Sequence, residues 1–523
     1  MGSVTLAVAA ITLVGLLVRL PSFGDSLFGD ELSAFYVVHG HGLRETLHLV
    51  KAGNSTELNP PLFFALAWLS EKIFGSSTES LKLVSLIAGT ATIPLTFLLG
   101  RRTIGHATGL VAAVLTALCP FLIYYSTEAR PYALLVLVLL LSTLALLQAL
   151  DTGRWIWWAA YALFTCAAMY THYTAVFLLG AQFAWALVTH RDRWRPLVVA
   201  TAAAAIAFLP WLPTVRDTTN SPGTKIYALL EPFTLHAVRI DLGRWAIGHP
   251  YVPLSVIPGS MAAWLAVAGV GVATLGAIVS ARRGRLLVST KLALVIVLAL
   301  AAPVGIAIYS SFEDPIWNAR NVLSSWPGFA VLLGALLTWP RGTWRVAAVG
   351  LTVVGFGIGA VKMSDPNHQR LDYQAAARYI DRSTPAGAPV VDLVAPTPGP
   401  PTAVEAALAL DGGSARHPVL RIGLPPLRAV LRAKPYAKLD STPGESVARE
   451  AVRLAGDGPL LIVVPGAAPL STLESARHAA PSAAKDELAR FGQFLHALPP
   501  RFHPVARRSF RGMLPLGVYE YRG

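Results

Sequence analysis

Two adjacent carboxylates, Asp30-Glu31, follow Gly29 shortly after the first long apolar run of the chain. A carboxylate held beside a second one that tunes or aims it is an arrangement for general-base chemistry. The same pair also suits an ordinary helix start, where acidic side chains meet the positive end of the dipole. A second polar group, Tyr124-Tyr125-Ser126-Thr127-Glu128-Ala129-Arg130-Pro131-Tyr132, lies in a short turn between two apolar runs. An Arg in such a turn can snorkel or pair with Glu128. Its forked guanidinium also matches the oxygens of a phosphate. Lys82, near the start of the apolar run after the first loop, offers a second cation, so that the two together could neutralise a lipid phosphate. Asn59-Pro60-Pro61-Leu62, His172-Tyr173-Thr174 and Trp317-Asn318-Ala319-Arg320-Asn321 complete the set. Each alone has a plain explanation: Pro-Pro starts a helix, and aromatic and basic residues suit a membrane interface. Their convergence on one side of a membrane carries the weight.

The elements that must position these residues are set by composition. With 523 residues, 54% hydrophobic and 14% charged, the chain is too apolar for an ordinary soluble enzyme and requires lipid as solvent. The net charge of +14 does not point to nucleic acid, because the basic residues are scattered rather than gathered in one stripe. Cys119 and Cys166 each lie in an apolar stretch, so neither a disulfide framework nor a metal set follows.

Apolar runs long enough to cross a bilayer as helices fall near 4–21, 79–100, 107–126, 131–150, 155–172, 174–189, 196–213, 258–280, 291–309, 322–339 and 344–362, about eleven crossings. The segment 60–74 is shorter, starts with Pro-Pro and contains Glu71 and Lys72, which reads as a juxtamembrane or re-entrant helix. Basic connections at Arg101-Arg102, Arg154, 190–195, 282–285 and Arg341 with Arg345 fall at alternate turns and share one side. With that side cytoplasmic, the N-terminus is inside, and the polar loops 22–78, 127–130, 214–257 and 310–321 and the tail from 364 are extracytoplasmic. After Met363 apolar runs shrink to strand length at 388–394, 419–422, 460–464 and 514–521, with helical stretches at 373–380, 445–454 and 482–494 and a Pro-rich loop at 396–401. The expected architecture is a polytopic α-helical membrane domain, 1–363, followed by an extracytoplasmic α/β domain, 364–523.

In this order, Gly29-Asp30-Glu31, Asn59-Pro60-Pro61-Leu62, Glu128-Ala129-Arg130-Pro131-Tyr132, His172-Tyr173-Thr174 and Ala319-Arg320 resemble the bacterial branch of the protein O-mannosyltransferase superfamily, GT-C-type glycosyltransferases that include the lipid A aminoarabinose transferases. The resemblance covers about the first 330 residues, and the tail resembles the α/β domain many bacterial members carry. It implies transfer of a sugar from a polyprenyl-phosphate donor to a glycan, lipid or protein acceptor of the cell envelope. Asp30 would be the base and Glu31 would orient Asp30 or the acceptor. Arg130, with Lys82, would stabilise the departing phosphate. Asn59, Glu128, Tyr132, His172, Tyr173 and Arg320 would line the pocket. Neither metal nor other cofactor is implied, and no ligand cluster in the sequence demands one. The alternatives are a lipid-linked sugar flippase and a non-catalytic envelope assembly protein. Scarcity of charge within the spans speaks against an ion-coupled transporter.

Overall fold

The computed structural model describes residues 2–51, 57–219, 233–281, 289–393, 401–410, 416–422, 444–466 and 487–523. The basic connection 282–285 and most of the Pro-rich loop 396–401 lie outside the described residues.

Each expected apolar run is helical, but not all are of spanning length. Among the described residues, seven helices are long and apolar enough to cross a membrane. An eighth crossing would be the pair His106–Leu118 and Pro120–Ser126, bent by 62°. Trp155–Met169, Ala175–Thr189 and Leu323–Thr338 are shorter. The chain is thus a multi-pass membrane protein, and among the described residues up to eight of the eleven expected crossings meet the length and apolarity of a span. The bend has a local cause. Pro120 lacks an N–H and its ring crowds the preceding turn, so Cys119 leaves the helix for an extended conformation.

The first loop is more structured than a polar connection. It contains the helices Glu31–Val38, Leu43–Leu49 and Leu62–Phe74. The last spans only about 20 Å at 1.5 Å per residue, too short to cross a bilayer, in keeping with a helix that stays in the loop. The next helix, Thr78–Thr103, opens with a reciprocal Ser77–Ser80 capping box, which fixes where Lys82 enters the bundle.

The tail forms a five-stranded sheet of order β2-β1-β3-β5-β4, with β1 Val390–Leu393, β2 Val419–Ile422, β3 Pro459–Pro465, β4 His503–Phe510 and β5 Leu516–Arg522. β1 pairs in parallel with β2 and β3, and β5 runs antiparallel between β3 and β4. β4 was not expected from the sequence, and the helix expected at 482–494 is described at Glu487–Ala497. Alternation along β3 divides two cores. Leu460, Ile462 and Val464 pack with the helices Gly444–Ala455 and Glu487–Ala497. Leu461 and Val463 belong to the same buried cluster as the helical bundle. The tail is therefore seated on the membrane domain by continuous apolar packing, aided by the helices Tyr373–Ser383 and Ala403–Leu410.

Candidate active site

The turn 127–130, expected as an extracytoplasmic polar loop, is buried throughout together with the helix before it. The first loop and the start of the tail close over it. What results is a cluster of five acidic and four basic side chains: Asp25, Asp30, Glu31, Glu57 and Glu128 with Lys82, Arg130, Arg320 and Arg370.

Asp30 and Glu31 are separated by their burial. Gly29, at φ +59°, turns the chain so that Asp30 stands at the N-cap position of the helix Glu31–Val38 with its side chain free of any capping bond. The Asp30 side chain is 43% exposed and pairs with Arg320. That guanidinium holds the Asp30 carboxyl below the usual carboxylate range against the opposing effect of burial, and Arg130 adds to the lowering. Glu31 is fully enclosed. Its Oε1 accepts from the Ala129 amide at 2.8 Å and lies 3.7 Å from Lys82 Nζ, while Oε2 accepts from the Phe28 amide at 3.2 Å. Glu31 therefore ties the turn before Asp30 to the Glu128–Arg130 turn, and it has no face left for an acceptor.

Arg130 lies beside Asp30, with Nη1 3.3 Å from the Asp30 carbonyl oxygen. Its fork is occupied by Glu57, reached by Nη1 and, at 3.3 Å, by Nη2. Glu57 also accepts from Ser33 Oγ (3.2 Å), the Leu58 and Asn59 amides (3.0 and 2.9 Å) and Asn59 Nδ2 (2.6 Å). So many donors on one buried carboxylate make the pair a fixed strut, since removing one partner of such a pair costs about 3–5 kcal/mol. Lys82 is likewise enclosed and spent on Glu31 and the Asp25 carbonyl. The expected phosphate pair, Arg130 and Lys82, thus faces the interior of the cluster. The partly exposed guanidinium next to Asp30 is that of Arg320, whose side chain is 18% exposed.

Tyr132 lies between Arg320, 5.8 Å from its ring centre, and His172, whose ring is at 5.5 Å. His172 Nδ1 accepts from the Thr174 amide at 3.2 Å, which puts the proton of the neutral ring on Nε2. Burial and the two nearby Arg residues push its pKa down to about 3. Burial pushes the Glu128 carboxyl up to about 8, with Glu31 adding to the rise, and its Oε2 has no hydrogen-bond partner. Tyr173 stands beside this group, its hydroxyl accepting from Trp211 Nε1 at 3.1 Å. Asn59 acts through Glu57, as above. All the residues singled out from sequence fall in or against one cluster. Glu57, Asp25 and Arg370 were not singled out; for Glu57 the usable signal was a carboxylate two residues before Asn59-Pro60-Pro61. No group of three or more metal-ligating side chains is found among the described residues.

The match to known proteins is distributed over the chain. Residues 58–216 match the family described as dolichyl-phosphate-mannose-protein mannosyltransferase. Over 207 residues the chain is 26% identical to YkcB of Bacillus subtilis (strain 168), provisionally named a mannosyltransferase; the match spans 38% of this chain and 28% of YkcB. The whole fold resembles the crystal structure of ArnT from Cupriavidus metallidurans, with a TM-score of 0.56 at 13% identity over 99% of this chain and 98% of ArnT. The chain has the fold of the GT-C glycosyltransferase structures. A more distant GT-C likeness is to the Archaeoglobus fulgidus oligosaccharyltransferase, with a TM-score of 0.51 at 12% identity over 88% of this chain and 69% of that one. The GT-C bundle and its C-terminal sheet domain are the architecture that the resemblance implied, and the site described above lies where the two meet.

Proposed function

We propose that this protein transfers a sugar from a polyprenyl-phosphate donor to an acceptor of the cell envelope on the extracytoplasmic side of the cytoplasmic membrane, with Asp30 as general base. The observation that carries this is the asymmetry of the cluster. Asp30 is the most exposed carboxylate of the cluster, and it is paired with a guanidinium that is itself partly open. The donor class is supported by the matching family's description and by the ArnT structure bound to undecaprenyl phosphate, of TM-score 0.56 and 14% identity.

In this reading the donor phosphate takes over the Arg320 guanidinium. Asp30, released from its counter-ion, becomes a stronger base and accepts the proton of the acceptor hydroxyl as that oxygen bonds to the anomeric carbon. The bond from that carbon to the lipid phosphate oxygen breaks, and the electron pair leaves on the phosphate beside Arg320. Arg130 acts from behind by fixing the Asp30 backbone, and Tyr132, His172 and Glu128 shape the wall of the pocket. Lipid-linked sugar transport fits less well, since the clustered charges sit at one end of the bundle rather than at depth along a path.

The test is sugar transfer by purified wild-type and Asp30→Asn protein from radiolabelled polyprenyl-phosphate mannose and polyprenyl-phosphate arabinose, with cell-envelope extract as acceptor. Transfer of one label, lost in the variant while donor is still bound, is the expected result. Equal transfer by both proteins would remove Asp30 from the chemistry, and bound lipids without transfer of either sugar would favour transport.

A further inference from the structure

The segment joining the last long helix to the sheet domain carries Arg370, which no motif marked. Its backbone is clamped by the turn between β4 and β5: the Met513 amide donates to the Gln369 carbonyl at 2.8 Å and the Asp372 amide to the Arg511 carbonyl at 3.3 Å. Gly512 makes the approach possible, since a Cβ there would stand 2.8 Å from Leu371 Cα. From this clamp the side chain, 2% exposed, reaches into the charge cluster. Nε lies 3.0 Å from Glu31 Oε2, an ionic contact without hydrogen-bond alignment, and Nη1 lies 3.9 Å from Asp25 Oδ2. The guanidinium stands 4.5 Å over the ring of Tyr124, and Nη2 has no hydrogen-bond partner.

We propose that Arg370 is a positioning residue for the transfer reaction, contributed by the tail and acting through Glu31 on the helix start that presents Asp30. The proposal rests on the transferase reading above. Glu31 is the tie between the Phe28 amide, two residues before Asp30, and the Ala129 amide. Without Arg370 that enclosed carboxylate keeps Lys82 at 3.7 Å and loses its nearest cation. A buried anion so stripped draws in water, and a hydrated carboxylate holds its two amides less firmly. Asp30 then drifts, while Arg320, the partner assigned to the donor, is untouched.

The experiment compares full-length wild-type, Arg370→Ala and Arg370→Lys proteins. With a displacement of about 1 Å at the reacting groups, kcat of Arg370→Ala falls about 100-fold while the donor KM stays within about twofold. Guanidinium ion, but not urea, restores part of the rate, and Arg370→Lys retains more activity than the Ala variant. A wild-type kcat in Arg370→Ala, or a loss that guanidinium does not relieve and that tracks a lowered Tm, overturns the proposal. Hydrogen–deuterium exchange tests it independently of turnover. The amides of residues 28–32 exchange about tenfold faster in Arg370→Ala, with exchange in the long helices unchanged. Unaltered exchange at 28–32 sinks the positioning role even if the wild type transfers no sugar, the result that would count against the transferase reading itself.

Discussion

Among individual side chains the decisive contest is between Arg320 and burial over the charge of Asp30. Arg320 wins, and the carboxyl is held below its ordinary range. A depressed carboxyl is in its basic form at every pH above its own pKa and loses that form only as pH falls through it. Replacing Arg320 by Gln removes the opposite charge, so the Asp30 pKa rises and the acid limb of kcat/KM moves to higher pH. The same change removes the cation assigned to the leaving phosphate, lowering kcat about 100-fold. A pH–rate profile of the variant measures both effects. An acid limb that stays in place would show that another group titrates there. His172 does not take part in this titration near neutrality, because burial and the neighbouring guanidinium groups keep it neutral down to about pH 3.

For the elements, placement depends on a few backbone features. Gly29 adopts φ +59° with open space where a Cβ would point, so substitution there meets backbone strain and no clash. An L-residue in that region costs about 1–2 kcal/mol, and Asn tolerates it better than Ala. Gly29→Ala is therefore expected to fold while presenting Asp30 poorly, and Gly29→Asn to keep more activity than Gly29→Ala. Measured kcat in the order Gly, Asn, Ala supports this geometry, whereas Ala equal to Gly would show that the turn relaxes without consequence. The bend at Cys119–Pro120 plays the corresponding part for the second half of the cluster, bringing the helix Pro120–Ser126 and the turn after it under the tail.

Considered as a whole molecule, the protein has one site built by two domains. Besides Arg370, Gln374 joins them: its amide donates to Ser26 Oγ at 2.9 Å and its side chain to Thr78 Oγ1 at 2.8 Å. Gln369 reaches the Pro21 carbonyl at 3.4 Å. A side-chain hydrogen bond of this kind contributes about 0.5–1.5 kcal/mol. Gln374→Ala should accordingly loosen the docked tail and speed limited proteolysis of the segment 364–372 a fewfold, with the long helices intact. Cleavage at the wild-type rate would mean that the shared apolar core holds the tail unaided.

Much of this architecture was legible in the chain because its causes are local. Length and apolarity specify a membrane helix, Pro-Pro before Leu62 specifies a helix start, and apolar runs of strand length after Met363 specify a sheet. β4 escaped because it is an edge strand, half exposed and carrying Arg507-Arg508, so it lacks the apolar signature of its neighbours. The polar motifs marked most of the cluster, since side chains with matching chemistry fell on one side of the topology expected from sequence. Which partner each would take was decided only by tertiary structure. Asp30 meets Arg320 across 290 residues and Arg130 meets Glu57 across 73, separations that no spacing rule encodes. Of two adjacent carboxylates, packing sank Glu31 and left Asp30 open. Coulomb attraction and desolvation are settled at contact distances of about 3–4 Å, and only the folded chain sets those distances.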